Sequence, residues 1–338
     1  MNYVVKDNKY IRCNYDSKTI LSDKIKEIYN HNVLITSSGL HANSYILEIL
    51  KIYYSQNKIN ILYNKELYFE NINLIKYFSK INNINSYEYD LCDDNNLKSI
   101  LKDNYDQINI LFIESCTNPF GYIFNYNIIN ELREICPKLI IICDNTWLSN
   151  IIFNPFNINI DIVTVSLTKY YSGNASICGA CIIKDIDIFN CADEYSKIYG
   201  FHISPLNINN INNSLNTYES RMIKLSILTK YTINYLLSEN KEIIHPYLNN
   251  HISYNLVNEY FDINIYPSTF LIGTIITKEE LSNNKLSSVS FGSNITKIDK
   301  NLFTDINTQK NYIRISIGYE ETFESLKIKI NDLIKYLI

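Results

Sequence analysis

An aspartate and a lysine, Asp144 and Lys169, each lie at or just beyond the end of a short apolar run in this 338-residue sequence. The runs, 139–143 (LIIIC) and 161–167 (DIVTVSL), have the length and β-branched composition of buried strands. Because the carboxyl ends of parallel strands meet at one edge of a sheet, we expect both side chains to face one site. A lysine can hold an aldehyde covalently, and a carboxylate can pair with a protonated ring nitrogen. The pair therefore predicts a pyridoxal phosphate (PLP) site, in which the ring acts as an electron sink.

Two further features could bind the phosphate of such a cofactor. The hydroxyl residues Ser166 and Thr168 stand beside the lysine, and the segment 36–40 (TSSGL) reads as a strand end, a Ser-Gly turn and a helix start. The backbone N–H groups of a helix N-terminus bind anions. A Ser-Gly step before a helix is more often a plain cap, so this signal gains weight only together with Asp144 and Lys169.

The composition excludes several other classes of function. Apolar residues make up 46% of the chain and charged residues 20%, with a net charge of −4, so neither nucleic acid nor an anionic membrane is expected as a partner. No run approaches the roughly 20 apolar residues of a membrane-spanning helix. The first residues, MNYVVKDNKY, contain no apolar signal region. We therefore expect a cytoplasmic protein.

Two of the eight cysteines, Cys178 and Cys181, form a C-x-x-C pattern. No second pair or nearby histidines complete a zinc set. The pattern also lies in a strand-like run and not at a helix N-terminus, where a redox pair would sit. We interpret both cysteines as small buried side chains and predict no metal site.

Apolar runs alternate with helical patterns through the first 200 or so residues, which favours a mainly parallel α/β sheet. After about residue 206 the pattern changes to one long helix, 211–237, followed by short strands and a closing helix, 321–337. This second part is typical of a smaller α/β domain. The predicted strands are 33–38, 59–63, 108–115, 139–143, 162–167 and 180–184, and the predicted helices start at Ser22–Asp23 or span 40–54, 71–78 and 127–136.

Several motifs in one order make the sequence resemble the Cys/Met-metabolism PLP enzymes, the group of cystathionine γ-synthase, γ-lyase and β-lyase. The motifs are YIRCN (10–14), TSSGL (36–40), LY (67–68), ESCTNP (114–119), DNT (144–146), SLTKY (166–170), TYESRM (217–222) and IRISIG (313–318). Their family counterparts are Y-x-R-x-x-N-P-T, the S-G-M turn, Y-G-G-T, E-x-P-x-N-P, D-N-T, S-x-T-K-Y, T-L-x-x-R-M and V-R-L-S-x-G. The resemblance implies a fold type I PLP-transferase, with a large domain built on a mainly parallel sheet and a smaller C-terminal α/β domain.

The resemblance implies a role for each matching residue. Lys169 would hold the cofactor and move protons at the substrate Cα, while Asp144 would pair with the pyridine nitrogen. Tyr68 would stack on the ring. Arg314 would clamp the substrate α-carboxylate, although an internal acidic partner is the alternative for this arginine. The other cofactor-binding residues implied are Ser38, Gly39, Leu40, Asn118, Ser166 and Thr168.

The family also implies a homo-oligomer, either a dimer or a dimer of dimers. The counterparts of Tyr10 and Arg12 reach into the neighbouring subunit's site, where Tyr10 or Tyr68 could assist as an acid or base. The implied organisation is an N-terminal arm at 1–25, a PLP-binding large domain at 26–210 and a C-terminal small domain at 211–338.

The departures from the family fall on the substrate side of the site. Phe69 and Glu70 replace the two glycines of the Y-G-G-T turn, Ile295 stands where the family has a glutamate, and Asn73 stands where a basic residue is common. Charged groups near the distal end of the substrate are therefore fewer, while the cofactor anchors are unchanged. Our hypothesis is a sulfur amino acid with an uncharged distal end, such as methionine or an acylated homoserine, in preference to cystathionine.

The implied activity is a γ- or β-elimination or replacement on a sulfur-containing amino acid, like that of cystathionine γ-synthase or γ-lyase. Methionine γ-lyase or O-acylhomoserine sulfhydrylase activity is an alternative, and transamination is a rival within fold type I. A catalytically degenerate binding protein is the alternative outside enzymes. The sequence leaves these open because one cofactor arrangement serves many reactions.

Overall fold

The described part of the chain, residues 15–91, 93–282, 290–299, 301–305 and 308–338, contains two β-sheets in this computed structural model. The large sheet consists of β1 (Asn32–Thr36), β2 (Ile59–Asn64), β3 (Asn85–Tyr89), β4 (Ile108–Glu114), β5 (Ile140–Asp144), β6 (Ile162–Val165) and β7 (Gly179–Ile183). The strand order is β1-β7-β6-β5-β4-β2-β3. Strand β7 runs antiparallel to β1 and β6, and the other neighbouring pairs are parallel. The predicted mainly parallel sheet is confirmed.

The helices alternate with these strands and continue after them. They are α1 (Asp16–Tyr29), α2 (Gly39–Tyr53), α3 (Phe69–Asn82), α4 (Asp94–Asp103), α5 (Ile129–Ile135), α6 (Ser149–Ile152), α7 (Ile186–Ile198), α8 (Pro205–Leu215), α9 (Tyr218–Ser238), α10 (Tyr254–Tyr260), α11 (Lys278–Ser282) and α12 (Phe323–Asn331). Short 3₁₀ turns occur at Tyr126–Ile128, Pro155–Ile158 and Ile334–Tyr336.

Helices cover both faces of the large sheet. Every residue of β2 and β4 is buried, which is why these strands are apolar apart from Asn60, Asn64, Asn109 and Glu114. On one face the strands pack against α2, α3 and α7, through side chains such as Ile46, Ile75 and Ile188. On the other face they pack against α1, α4 and α5, and the carboxyl edge stays open for a site.

The second sheet is antiparallel and smaller. It consists of β8 (Ile243–Ile244), β9 (Thr269–Gly273), β10 (Lys297–Ile298), β11 (Phe303–Thr304) and β12 (Asn311–Ser316), in the order β10-β12-β9-β8, with β11 beside β12. Side chains of β9 and β12 belong to the same buried cluster as one face of the large sheet. The predicted domain limits remain a prediction.

Three predicted helix limits are wrong. The first helix begins at Asp16 and not at Ser22, with an acidic residue in its first turn that favours the helix dipole. The predicted helix 211–237 is broken between α8 and α9, where Arg221 Nη2 donates to the carbonyl of Ser214 at 3.0 Å and holds the turn. The closing helix ends at Asn331, before the last 3₁₀ turn. In the ranges that the structure describes, no helix is long and apolar enough to span a membrane.

Candidate active site

A cavity of about 310 Å³ lies at the carboxyl edge of the large sheet. It brings together, as the sequence predicts, the residues Ser38, Gly39, Leu40, Tyr68, Asn118, Asp144, Ser166, Thr168 and Lys169. Further residues lining it are Asn43, Asn71, Glu114, Cys116, Thr146, Trp147, Ile177 and Phe291. Tyr10 and Arg12, which the sequence also assigns to a site, lie outside the described residues.

Lys169 projects into this cavity from the turn after β6. Its Nζ donates to Ser290 Oγ at 2.9 Å and lies 5.1 Å from the ring centroid of Phe291. Burial, together with the positive charges of Arg314 and Lys297, lowers the pKa of Lys169 to about 8. The amine is therefore neutral in a useful fraction of molecules near neutral pH, as a nucleophile or base must be.

Asp144 ends β5 and is held by three N–H donors. Its Oδ1 accepts the backbone N–H of Thr146 at 3.0 Å. Its Oδ2 accepts Nδ2 of Asn43 at 2.9 Å and Nδ2 of Asn71 at 3.3 Å. A carboxylate has about four lone-pair positions, so one acceptor position remains for a group in the cavity.

Glu114 ends the neighbouring strand β4 and is a site residue to which the sequence analysis gave no role. Its Oε1 accepts the backbone N–H of Tyr68 at 2.8 Å and Nδ2 of Asn71 at 2.9 Å. Burial and, to a smaller extent, the nearby charge of Asp144 raise the pKa of Glu114 to about 8. The signal in the sequence is its position, since Glu114 ends a mostly apolar strand and begins the ESCTNP motif.

The start of α2 forms an anion cradle beside Ser166. Ser38 caps the helix, because its Oγ accepts the backbone N–H of His41 at 3.1 Å. The N–H groups of Gly39 and Leu40 belong to the first turn, which has no intrahelical acceptors for them. A Cβ at Gly39 would lie 2.6 Å from the Cβ of Ser166, so only glycine allows this approach. Both the plain cap and the predicted anion site are compatible with this geometry.

The two predicted phosphate hydroxyls differ in their partners. The Thr168 hydroxyl donates to the carbonyl of Cys178 at 3.1 Å and accepts the backbone N–H of the same residue at 3.0 Å. Its proton is therefore directed at the protein loop. The Ser166 hydroxyl has no hydrogen-bond partner within the described ranges, which leaves it available to a ligand in the cavity.

Arg314 lies behind the cavity wall on β12, with 3% of its surface exposed. Its Nη1 donates to Asn118 Oδ1 at 2.7 Å, and its Nη2 forms an ion pair with Asp299. The internal acidic partner considered as the alternative is thus present. The role of carboxylate clamp stays a prediction, and Asn118 links Arg314 to the cavity.

Tyr68 is the residue that precedes α3, and its side chain is 42% exposed at the cavity. Burial raises the pKa of Tyr68, and the charge of Glu70 adds to the rise. Phe69 and Glu70, which stand in place of the two glycines of the Y-G-G-T turn, belong to the first turn of α3. The helix therefore begins at the position of that turn.

Trp147 and Phe291 form an apolar part of the cavity wall, with ring centroids 5.8 Å apart. Trp147 is 4% exposed and lines the cavity. Within the described ranges, no three His, Cys, Asp or Glu side chains form a metal-binding group. Cys178 and Cys181 are buried and carry free thiols.

These features fit three parts of PLP. Lys169 can bind its aldehyde, the open acceptor position of Asp144 can pair with its ring nitrogen, and the anion cradle at the start of α2 can bind its phosphate. The fold and the site together define the class of fold type I PLP-dependent enzymes. The sequence model of the family described as Cys/Met metabolism PLP-dependent enzyme matches residues 2–334. The chain therefore belongs to this family.

Individual relatives agree with this membership. Cystathionine β-lyase of Saccharomyces cerevisiae is 28% identical over 182 residues, which cover 52% of this chain and 39% of that protein. Cystathionine β-lyase of Neurospora crassa is 25% identical over 250 residues, covering 73% of this chain and 53% of that protein. The matched region thus spans about half or less of the length of these relatives.

A solved structure shows the same fold. The cystathionine γ-synthase of Xanthomonas oryzae pv. oryzae, in complex with cystathionine, has a TM-score of 0.85 to this chain. The likeness covers 99% of this chain and 89% of the other, at 18% sequence identity.

Proposed function

We propose that this protein is a PLP-dependent enzyme that catalyses γ- or β-elimination or replacement on a sulfur-containing amino acid, as cystathionine γ-synthases and γ-lyases do. The observation that supports this most is one cavity that holds both Lys169, with its pKa lowered to about 8, and the oriented carboxylate of Asp144. Family membership supplies the reaction class.

When bound, PLP supplies an electron sink for negative charge at the substrate Cα. Lys169 is the base that removes the Cα proton, and for a γ-reaction it also removes a proton at Cβ. Asp144 holds negative charge at the position of the ring nitrogen. Tyr68 keeps its phenol proton because burial raises its pKa, so it can donate that proton to the departing sulfur or oxygen. Arg314 orients the substrate α-carboxylate, and Asn118 contacts the cofactor.

Cofactor binding tests the proposal directly. Purified protein mixed with PLP should turn yellow and keep the colour on dialysis. Lys169→Ala should lose the long-wavelength absorbance, while Lys138→Ala, at an exposed lysine, should keep it. Wild-type protein that stays colourless would instead support the degenerate scaffold.

We further propose a substrate whose distal end is uncharged, such as methionine or an O-acylhomoserine. Support comes from the apolar wall of Trp147, Ile177 and Phe291, and from Ile295 at the position of the family's glutamate. Turnover of methionine and O-acetylhomoserine should exceed that of cystathionine. Ile295→Glu should raise kcat/KM for cystathionine, whereas Ile275→Glu, at another exposed isoleucine, should not. A strong wild-type preference for cystathionine would contradict this proposal.

The assembly and location are also proposals. We propose a cytoplasmic homodimer or dimer of dimers, in which Tyr10 and Arg12 complete the neighbouring subunit's site. The proposed organisation keeps an arm at 1–25, a large domain at 26–210 and a small domain at 211–338. Support comes from the YIRCN motif (10–14).

A further inference from the structure

Four polar side chains in the cavity wall form one hydrogen-bonded group, which we call the Asp144 network: Asn43, Asn71, Glu114 and Asp144. Asn43 and Asn71 are each 1% exposed. Nδ2 of Asn43 donates to Asn71 Oδ1 at 2.8 Å and to Asp144 Oδ2 at 2.9 Å. Nδ2 of Asn71 donates to Glu114 Oε1 at 2.9 Å and to Asp144 Oδ2 at 3.3 Å. The two asparagines therefore converge on one carboxylate oxygen.

The placement of these amides is unlike that of ordinary core residues. Asn43 lies on α2, on a face where its neighbours Ile46, Leu47 and Leu50 are buried apolar side chains. Asn71 lies in the first turn of α3, the helix that follows Tyr68. A buried amide is costly unless its hydrogen bonds are made, so an apolar residue would fill either place with less risk. The two amides hold the Asp144 carboxylate in place. Asparagine at these two positions is therefore explained if that carboxylate must keep one orientation.

The number of hydrogen-bond acceptor positions left on Asp144 indicates the purpose of that orientation. Asn43 and Asn71 occupy Oδ2, and the backbone of Thr146 occupies one position on Oδ1. Of about four acceptor positions on a carboxylate, one is left, and Asp144 borders the cavity. Glu114 in turn holds Asn71, because its Oε1 is fixed by the backbone N–H of Tyr68 at 2.8 Å.

We propose that Asn43 and Asn71 are positioning residues that aim the remaining lone pair of Asp144 at the cofactor's ring nitrogen, with Glu114 orienting Asn71. This inference rests on the proposed PLP site. It makes the two helices α2 and α3 part of cofactor recognition, although neither asparagine belongs to a predicted site.

Fluorescence of Trp147 tests the inference, since it is the chain's single tryptophan and lines the cavity. PLP is titrated into full-length wild type, Asn71→Leu, Asn43→Leu and the matched control Asn60→Leu. Asn60 is also fully buried and donates to another asparagine, Asn109 Oδ1, at 3.1 Å, but it lies near the start of β2, away from the cavity. We expect Kd for PLP to rise about tenfold in the two network variants and to stay unchanged in the control.

A double-mutant cycle separates positioning from general damage. If the asparagines act through the carboxylate, Asn71→Leu should raise Kd much less in an Asp144→Ala background than in wild type. NMR of PLP labelled at its ring nitrogen should show reduced protonation in Asn71→Leu and not in Asn60→Leu. Urea unfolding of each variant identifies any that does not fold, and Asn43→Leu then serves in place of Asn71→Leu.

The outcomes are distinct. Wild type that fails to bind PLP overturns the proposed function, and this inference with it. Wild type that binds PLP while Asn71→Leu and Asn43→Leu match Asn60→Leu overturns this inference alone. Equal effects of Asn71→Leu with and without Asp144 also overturn it.

Discussion

Burial acts on the two key titrating residues of the site in opposite directions, because it favours the neutral form of each. It lowers the pKa of the Lys169 ammonium to about 8 and raises the pKa of the Glu114 carboxyl to about 8. Near pH 7 about a tenth of the Lys169 amines are therefore neutral, while most Glu114 carboxyls keep their proton. The negative charge in the cavity wall is then concentrated on Asp144, which the cofactor ring requires.

The lowered pKa of Lys169 predicts how PLP capture depends on pH. Only the neutral amine attacks an aldehyde, so the capture rate should rise with pH, level off above about 8 and not continue to the ordinary value of 10.5. Stopped-flow absorbance after mixing apoprotein with PLP measures this rate. Lys297→Met removes a charge that lowers the pKa, so its midpoint should move upward. A midpoint near 10.5 in wild type would contradict the prediction.

The raised pKa of Glu114 predicts a loss of stability with rising pH. The folded state keeps the carboxyl proton up to about pH 8, whereas the unfolded chain releases it near 4.5. Folded protein thus binds more protons between these values, and the free energy of unfolding must fall as pH rises through this window. Glu114→Gln removes this dependence. The free energy of unfolding of the variant, relative to that of wild type, should therefore increase with pH up to about pH 8 and then stay constant.

Urea unfolding of the apoproteins at a series of pH values measures the difference. Parallel curves for wild type and Glu114→Gln would show that Glu114 does not titrate in this window. Asp144 and Lys169 could be predicted because each follows an apolar strand, but Glu114, Asn43 and Asn71 gain their meaning only from contacts between separate elements.

At the scale of elements, the strands of the large sheet that are buried on both faces carry an apolar run and could be predicted from the sequence. An exposed edge strand carries no such run and could not be predicted. Strand β3 reads NSYEY, is the edge of the large sheet and is mostly accessible, so it carries no apolar run. The break between α8 and α9 depends on Arg221, whose Nη1 and Nη2 donate to the carbonyls of Tyr170 and Tyr171. Such a tertiary contact overrides a helical pattern that looks continuous in the sequence.

The contact between α2 and the end of β6 predicts the effect of Gly39→Ala. The added Cβ would meet the Ser166 side chain at 2.6 Å and its Cα at 3.0 Å, so the helix start must move away from the hydroxyl. Kd for PLP should rise about tenfold or more, since anion contacts at a helix start depend on close approach. Pyridoxal, which lacks the phosphate, should bind wild type and variant alike.

Gly273→Ala is the matched control, because its Cβ would meet nothing closer than 3.4 Å and it lies on β9. Titrations of both ligands into the three proteins measure the effect. An equal loss of PLP and pyridoxal binding in Gly39→Ala would show that the change damages the cavity as a whole and not the phosphate cradle.

At the scale of the whole molecule, the site needs both sheets. Ser290 Oγ accepts a hydrogen bond from Lys169 Nζ at 2.9 Å. Arg314 of the small sheet donates a hydrogen bond to Asn118 Oδ1 at 2.7 Å. The two residues of each pair are far apart in the chain, by 121 positions for Lys169 and Ser290 and by 196 positions for Arg314 and Asn118. The fold class could be predicted from local periodicity, but local patterns hold no information about these long-range contacts. The pairing of Arg314 with Asp299 is a result of this kind.

The proposed oligomer predicts that two inactive variants restore each other. If Arg12 acts in the neighbouring subunit, Lys169→Ala mixed with Arg12→Ala gives a heterodimer with one complete site, made of Lys169 from one chain and Arg12 from the other. Random equal mixing forms about half heterodimers, so about a quarter of wild-type activity should return. The control pairs Lys169→Ala with Asp144→Ala. Both of these residues line one chain's cavity, so each site of that heterodimer lacks one of them and no activity should return. Denaturing and refolding each mixture together, followed by a 2-oxo acid assay, measures the recovery. No recovery in either mixture would show that Arg12 does not act across subunits.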